Sequence, residues 1–576
     1  MNNIRIAEHF EELADLLEFK GENPFKLNAY RKAARVIRDL TESVESILAD
    51  PNRKLTDLDG VGKAVAEKCQ VMVETGSLPQ LDELLKEIPE SVLDILRIPH
   101  MGPKKAKALY EELKITNLEE LKAACEAGKV SELKGFGKKT EQSILAGIDI
   151  AAAANQRIYW SEADQLAQQL RAHMSGCEAL AKLEFAGSYR RGKETVGDLD
   201  VLVVSADAES VMQRFGEFEE VQEVISRGDT KMSVRLNNHF QVDLRVVPAE
   251  SLGAALQYFT GSKEHNVIVR GLAKQRGLKI NEWGVFRVDG DQETYVAGAE
   301  EVDVYAALDL PLFPPEIREA RQEFAWAEAG RLPKLIELKD IRGDLHMHTT
   351  ATDGKASIEE MVAAAKQHGL KYIAITDHSK RVSMANGLDA KRLLAQWDEI
   401  NEINEELGSG FTLLKGIECD ILEKGGMDLP DAVLSQADWV LASVHYGQQQ
   451  SEREITDRIL GAIENPHVTA IAHPTGRLLN RREPYAVDLN EVFAAAKQHG
   501  KMLELNANPA RLDLNDVYCA AAKSQGIPIV INTDAHSVKG LDVMQYGILQ
   551  ARRAGLEKKD VANTQTWNQL KKLIRK

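Results

Sequence analysis

Nine residues with metal-ligand chemistry close the ends of short apolar runs in the C-terminal part of the chain. They are His346 and His348 in DLHMHT, Asp353 in TDG, His378 in AITDH, Glu418 in KGIECD, His445 in ASVH, His473 in AIAHP, and Asp534 with His536 in NTDAH. Imidazoles and carboxylates suit Zn, Mn or Fe, and nine of them suffice for two or three divalent ions. One His after a strand is usually a satisfied loop residue, but nine at matching positions predict a metal-dependent hydrolase. A second constellation lies mid-chain. In EFAGSYRRGKETVGDLDVLVV, Asp198 and Asp200 flank Leu199 as the chain enters an apolar run, so on a strand both carboxylates face one side, and HFQVDLRVV supplies Asp243 on a neighbouring strand. Three converging carboxylates repel one another unless divalent cations neutralise them, as in a two-Mg2+ phosphoryl-transfer site. Nucleotidyl transfer is the chemistry this pattern suits.

The elements that must position the first cluster are legible. YIAIT, FTLLKGI, WVLAS, VTAIA, KMLEL and IPIVINT are apolar and β-branched, as strands buried on both faces should be, and helical stretches such as Ile358–His368, Ala390–Glu406 and Leu489–His499 lie between them. This alternation gives a parallel sheet or barrel whose functional groups gather at the C-terminal strand ends. Nearby Arg477 and Lys380 are candidates for holding a substrate phosphate.

Three short glycine-containing turns punctuate the N-terminal part: LDGVGKAVAEK with Gly60 and Gly62, IPHMGPKKAKAL with Gly102, and LKGFGKKTEQSIL with Gly135 and Gly137. Glycine permits close backbone approach, and amides at the following helix N-terminus can bind a phosphate without reading a base. They resemble helix-hairpin-helix elements. The middle copy departs from the pattern, with His100 in place of the first glycine.

Global properties restrict less. At 576 residues and 44% hydrophobic content the chain is long enough for several globular domains. No stretch approaches a membrane span, MNNIRIAEHFEE lacks the features of a signal peptide, and Cys69, Cys125, Cys177, Cys419 and Cys519 form no CxxC pair, so a cytoplasmic protein without membrane association is expected. A net charge of −17, with 43 Lys+Arg against 57 Asp+Glu before residue 339, means that DNA binding must rest on local motifs.

The C-terminal half, from about Asp340 to Tyr546, resembles the polymerase-and-histidinol-phosphatase (PHP) domain, a distorted (β/α)7 barrel with a three-metal centre acting on phosphate esters. From about Arg5 to Pro311 the chain resembles family X DNA polymerases of the polymerase beta type. That resemblance implies that Asp198, Asp200 and Asp243 hold two catalytic ions, and that Ser188, Arg191 and the Gly197 backbone hold the incoming triphosphate. YFTGSKEHN then places Tyr258, Phe259 and Gly261 at the sugar and Asn266 at the base, while Arg270, counted with the hairpin glycines as a DNA-binding residue, and Glu282 couple closure to catalysis. Lys263 stands where the beta subgroup has an acidic residue, and Gln241 replaces an arginine. NAYRKAARVI and GVGKAVAEKC resemble the family's lyase domain and imply Lys68 as Schiff-base nucleophile for a 5′-deoxyribose phosphate, with Lys32 or Arg35 lowering its pKa. The helper lysine of polymerase beta is Ala64 here.

The fold expected is therefore multidomain, α+β and α/β: a lyase-like hairpin domain over residues 1–90, a second hairpin pair over 91–150, a nucleotidyltransferase palm over 151–250, and a nucleotide-binding part over 251–315. EIREARQEFAWAEAGRLPKLIEL reads as a helical linker over 316–338, and the PHP barrel follows over 339–576, ending in QLKKLIRK as a solvated helix end. The whole order is similar to bacterial family X polymerases. It implies a monomeric repair polymerase that fills short gaps from deoxynucleoside triphosphates in gapped or nicked DNA. Mg2+ serves the palm, and two or three Mn2+, Zn2+ or Fe ions serve a 3′→5′ exonuclease that also cleaves abasic sites and 3′-phosphates. The alternatives are a small-molecule phosphoesterase tethered to an idle DNA-binding module and an architectural binder of DNA ends.

Overall fold

The computed structural model describes residues 3–40, 42–89, 91–96, 98, 101–153 and 157–574. The chain forms two compact units: Met1–Arg157 with Glu220–Ser226 and Val234–Gln241, and the remainder.

The N-terminal segment of the first unit is helical. Its N-terminal helix, Asn3–Lys20, buries Ile6, Phe10, Leu13 and Leu17, a spacing of three and four residues that lays one face against helix Pro24–Arg38, where Phe10 stacks on Tyr30. One apolar cluster continues from Ile6 to Ile148 through both hairpin segments. The three turns share one construction: Val61, Met101 and Phe136 donate their amides back to Leu58, Ile98 and Leu133 and bury their side chains. Each is followed by a glycine with open space where a Cβ would be, Gly62, Gly102 and Gly137. Helices Lys63–Thr75, Pro103–Leu113 and Lys138–Ala153 start directly behind them. The apolar plug fixes the turn and the glycine leaves the helix N-terminal amides uncovered. His100 lies outside the described residues.

The second unit carries strands Leu180–Phe185, Asp198–Ser205 and Gln241–Val247 side by side in that order, on which helices Trp160–Met174 and Leu252–Thr260 pack. Helix Lys263–Gln275 and the antiparallel strands Leu278–Asn281, Gly284–Asp289 and Gln292–Ala297 follow around Val269, Val285, Tyr305 and Phe313.

Seven parallel strands, adjacent in chain order, form the C-terminal body: Gly343–Asp344, Tyr372–Ile375, Thr412–Asp420, Trp439–Ser443, Ala470–Ile471, Met502–Asn506 and Ile529–Asn532. First and last nearly close into a barrel. Met347 bridges Ala535 in parallel, and the Asn563 amide donates to Gly343 O (2.7 Å) and Ile531 O (2.6 Å), stapling the strand edges that seven short strands leave unpaired. Helices Ile358–Gln367, Ala390–Leu407 and Leu489–His499 cover the outside.

Two sequence expectations give way here. Within the segment expected to be a helical linker only Glu323–Glu328 is α-helical, because Gly330 and Pro333 end it, and Arg318 and Ile336 are fully buried: the segment is packed into the unit. The terminal helix Trp567–Ile574 is not a solvated end, since Leu570 is fully buried with Tyr372, Trp439 and Val530 and plugs the far end of the barrel. No described helix is long and apolar enough to cross a membrane.

Candidate metal centres

All nine predicted barrel ligands converge at the C-terminal strand ends. Eight of them, all but His473, form three overlapping groups with ligand atoms within 4.8 Å: His348, Asp353, His378 and His536; His346, His348 and Asp534; His378, Glu418 and His445. Glu418 lies at the centre, with a carboxylate oxygen 2.8 Å from His378, 3.0 Å from His473, 3.4 Å from His445 and 3.5 Å from His346. Burial alone would raise its pKa, yet the facing histidines hold it well below the ordinary range. His346 Nε2, His348 Nδ1 and His473 Nδ1 are buried without a hydrogen-bond partner. Packing several imidazoles around two buried carboxylates and leaving ring nitrogens unpaired costs stability unless cations occupy the space, so the donor set fits divalent metals. His473 and Asp534 hold φ of +29° and +55°, backbone strain of the kind that functional sites store.

A buried outer layer, absent from the sequence reading, aims these rings. Glu504 accepts from His346 Nδ1 (2.7 Å) and from the His473 amide (2.8 Å) and is itself fixed by Asn532 (2.9 Å), which leaves His346 Nε2 as the ligand atom. Asp420 accepts from the His445 amide at 3.0 Å and lies 3.1 Å from its Nδ1. Asp377 receives Thr349 and Gln396, and Asp344, pushed up to about 6 by burial, receives Thr533. The signal was present as one acid inside each apolar run (GDLH, ITDH, ECD, LELN).

Arg477 is not available for substrate. Its guanidinium, largely buried, pairs with both oxygens of Glu194 (2.7 and 3.1 Å) and with Leu512 O. Lys380 is exposed. The cation at the centre is Arg511, 3.5 Å from Asp534.

In the palm, Asp198 and Asp200 open one strand with the fully buried Leu199 between them, and Asp243 sits on the adjacent strand. Asp200 and Asp243 line a pocket with Lys231, Arg245 and Phe259. Burial, and then the charges of Asp198 and Asp243, push Asp200 up to about 7. Ser233 donates to Asp243, and Lys231 lies 3.9 Å away. A carboxylate whose pKa is raised by burial and two neighbouring carboxylates at a partly open pocket fits divalent cations. Gly187 has φ +65°, and a Cβ there would meet Asp200 Oδ2 at 2.4 Å, so only glycine allows the Gly187–Arg190 turn to approach the acids.

The predicted nucleotide residues surround this pocket unevenly. Ser188 is half-buried on that turn, and Gly197 directly precedes Asp198. Arg191 pairs with Glu319 (3.1 Å) and donates to Thr260 O, beside Gly261, whose φ is +69°. Tyr258 and Phe259 meet edge to face at 5.0 Å. Asn266 is turned inward, accepting from Gln257 (2.7 Å) and donating to Tyr258 O (2.7 Å), while Arg270 is exposed and donates to Asn266 O. Glu282 is half-buried and Lys263 exposed. In the first unit, Lys68 is half-buried on helix Lys63–Thr75, and Lys32 packs over Gly60 and pairs with Asp59 at 3.0 Å.

A helical hairpin unit, a carboxylate palm and a His/Asp barrel define a multidomain phosphoryl-transfer enzyme. The chain matches five families: "Helix-hairpin-helix domain" over 1–78, "SAM-like Helix-hairpin-helix tandem" over 92–149, "DNA polymerase beta palm" over 157–247, "DNA polymerase beta thumb" over 255–319 and "PHP domain" over 344–508. It is 40% identical over 579 residues, the full length of both chains, to the DNA polymerase/3'-5' exonuclease PolX of Bacillus subtilis. The chain belongs to the PolX family. A probable phosphatase of Acetivibrio thermocellus is 31% identical over 202 residues, 34% of this chain and 78% of that one. DNA polymerase lambda of Rattus norvegicus is 26% identical over 344 residues, 55% of this chain and 56% of its own.

Proposed function

We propose that this chain, a DNA polymerase/3'-5' exonuclease of the PolX family, fills short gaps in nicked or gapped DNA as a cytoplasmic monomer and trims 3′ ends in its barrel. The observation that carries the reading is the presence of two separate acidic centres, each built to need divalent cations. Divalent ions, Mg2+ in the palm and two or three Mn2+, Zn2+ or Fe in the barrel, would supply charge neutralisation at phosphorus and acidify the attacking hydroxyl or water. Asp198, Asp200 and Asp243 would hold the palm's ions, and Asp243, steadied by Ser233, would help activate the primer 3′-hydroxyl. Ser188 and Arg191 take the triphosphate, with Tyr258, Phe259 and Gly261 at the sugar. Asn266 reaches the base edge only by giving up its bond to Tyr258 O. In the barrel, His346, His348, Asp353, His378, Glu418, His445, His473, Asp534 and His536 would hold the ions, and Arg511, 3.5 Å from Asp534, would receive the scissile phosphate. Gly60, Gly62, Gly102, Gly135, Gly137 and Arg270 meet the DNA backbone.

Asp198→Ala should abolish single-nucleotide gap filling in Mg2+ while 3′→5′ degradation persists, and His346→Ala should do the reverse. Extension by Asp198→Ala at the wild-type rate would remove the palm assignment. Loss of small-ester phosphatase activity alone in His346→Ala would favour a tethered phosphoesterase. Lys68, under the first glycine turn, forms the Schiff base of the lyase step. Borohydride trapping on a 5′-incised abasic duplex should fall strongly in Lys68→Ala, and undiminished trapping would move the nucleophile elsewhere.

A further inference from the structure

The barrel reaches into the palm at the turn expected to carry the triphosphate. Both carbonyls that follow the Gly187–Arg190 helix are held by side chains of barrel helix Met544–Arg553: Arg553 donates to Arg191 O (2.7 Å) and Gln550 to Gly192 O (3.0 Å). Leu549 covers Gly192 so closely that a Cβ there would lie 2.4 Å from its Cγ. Arg553 also holds the other end of Arg191, because its Nη1 donates to Glu319 Oε1 (2.9 Å), the same oxygen that lies 3.1 Å from Arg191 Nε. Asp516 of the barrel fixes the second Arg553 nitrogen at 2.7 Å, and the side chain is 1% exposed.

Several cations meet around it. Arg191, Lys193, Arg321 and Arg553 face two carboxylates, Glu319 and Asp516. Burial and then Arg553 lower the Lys193 pKa. Cations clustered beside that turn complement a polyphosphate. A long arginine side chain left loose would lose rotamer freedom on gripping phosphate, whereas one tied at backbone and guanidinium loses little.

We propose that Arg553, supplied by the hydrolase barrel, is a positioning residue of the polymerase nucleotide site, holding Arg191 for the triphosphate of the incoming nucleotide. This rests on the palm reading given above. Arg553 touches neither substrate nor ion and acts through Arg191 and Glu319.

Single-nucleotide gap filling in Mg2+ by Arg553→Met, Arg553→Lys and Gln550→Ala tests it, with 3′→5′ degradation in Mn2+ and melting temperature measured in parallel. Arg553→Met should raise the nucleotide KM roughly tenfold, the size of one charge-assisted hydrogen bond, with kcat within about threefold and degradation unchanged. Arg553→Lys should recover part of the KM. Gln550→Ala should shift it in the same direction by less, and it keeps the test decisive if Arg553→Met does not fold. An unchanged KM in the folded variants, or KM, degradation and melting temperature worsening in step without rescue by Lys, would overturn the proposal. A wild-type protein that adds no nucleotide would instead overturn the palm reading beneath it.

Discussion

At the barrel mouth His346 and His348 are fully buried, and Glu504 steers the first ring while Asp534 meets the second at 3.1 Å. In the palm Asp198 is exposed and its two companions sit at an open pocket. Both centres gather ligands for divalent ions, but they are prepared differently. The barrel's ligands are braced from behind, with Glu504 against His346 Nδ1 and Asp420 against His445 Nδ1. The palm's carboxylates face one another at an open pocket, where cations and a triphosphate would neutralise one another's charge. Preorganisation of this kind implies retention: the barrel should keep its ions through desalting, while the palm exchanges Mg2+ freely.

The strongest way to break this contrast is at Glu418, which faces His346, His348, His378, His445 and His473. Glu418→Gln should lower bound transition metal, measured by elemental analysis. It should reduce DNA degradation by several orders of magnitude and spare primer extension in Mg2+. Retained metal with normal degradation would show that the centre is not organised around this carboxylate. Asp243→Asn probes the other side. Nucleotide addition should fall by several orders of magnitude with barrel metal content unchanged, and a loss of barrel metal would mean that the two centres are not independent. Glu504→Gln comes next in size. It keeps every ligand but weakens the partner of His346 Nδ1 and the His473 amide, so metal affinity should drop about 10- to 100-fold, read by competition with a chelator. No drop would deny that the second layer is what separates the barrel from the palm.

Much of this could be read along the chain because parallel strands buried on both faces print unbroken apolar runs. A polar residue closing such a run is conspicuous, which is how His378, His445 and His473 stood out. The acids one layer out are inside or beside the same runs and were passed over, since Glu504 in KMLELN looks like one polar interruption of a strand until the fold brings it against His346. Partners far apart in sequence were invisible: Arg477 looked like a free cation, and Glu194 lies 283 residues away. Leu570 and the segment around Arg318 misled in another way. Helical composition suggests exposure or a linker, but burial depends on what the rest of the chain leaves uncovered.

The smallest effect concerns what holds palm and barrel together. Glu319 is held at about 2 despite burial, because Arg553, Lys193 and Arg191 face it, and Glu301 at about 2 by Arg318 and Arg190; Asp516 is depressed by Arg553 and Arg321. A carboxylate whose folded pKa lies below its unfolded value stabilises the fold above the unfolded pKa, and that contribution disappears as pH falls through the folded one. For Glu319, with an ordinary value of 4.5, the window runs from about 4.5 down to about 2. A shift of this size corresponds to on the order of 3 kcal/mol at neutral pH. Urea unfolding of Glu319→Gln should therefore show a deficit of about that size at pH 7, shrinking steadily below pH 4.5 as the wild-type carboxylate is itself protonated. A deficit independent of pH would mean that the Glu319 side chain stabilises by packing alone. The seam would then owe nothing to its buried charges, and the two centres would be joined by shape rather than by the ion pairs that run from Arg191 to Asp516.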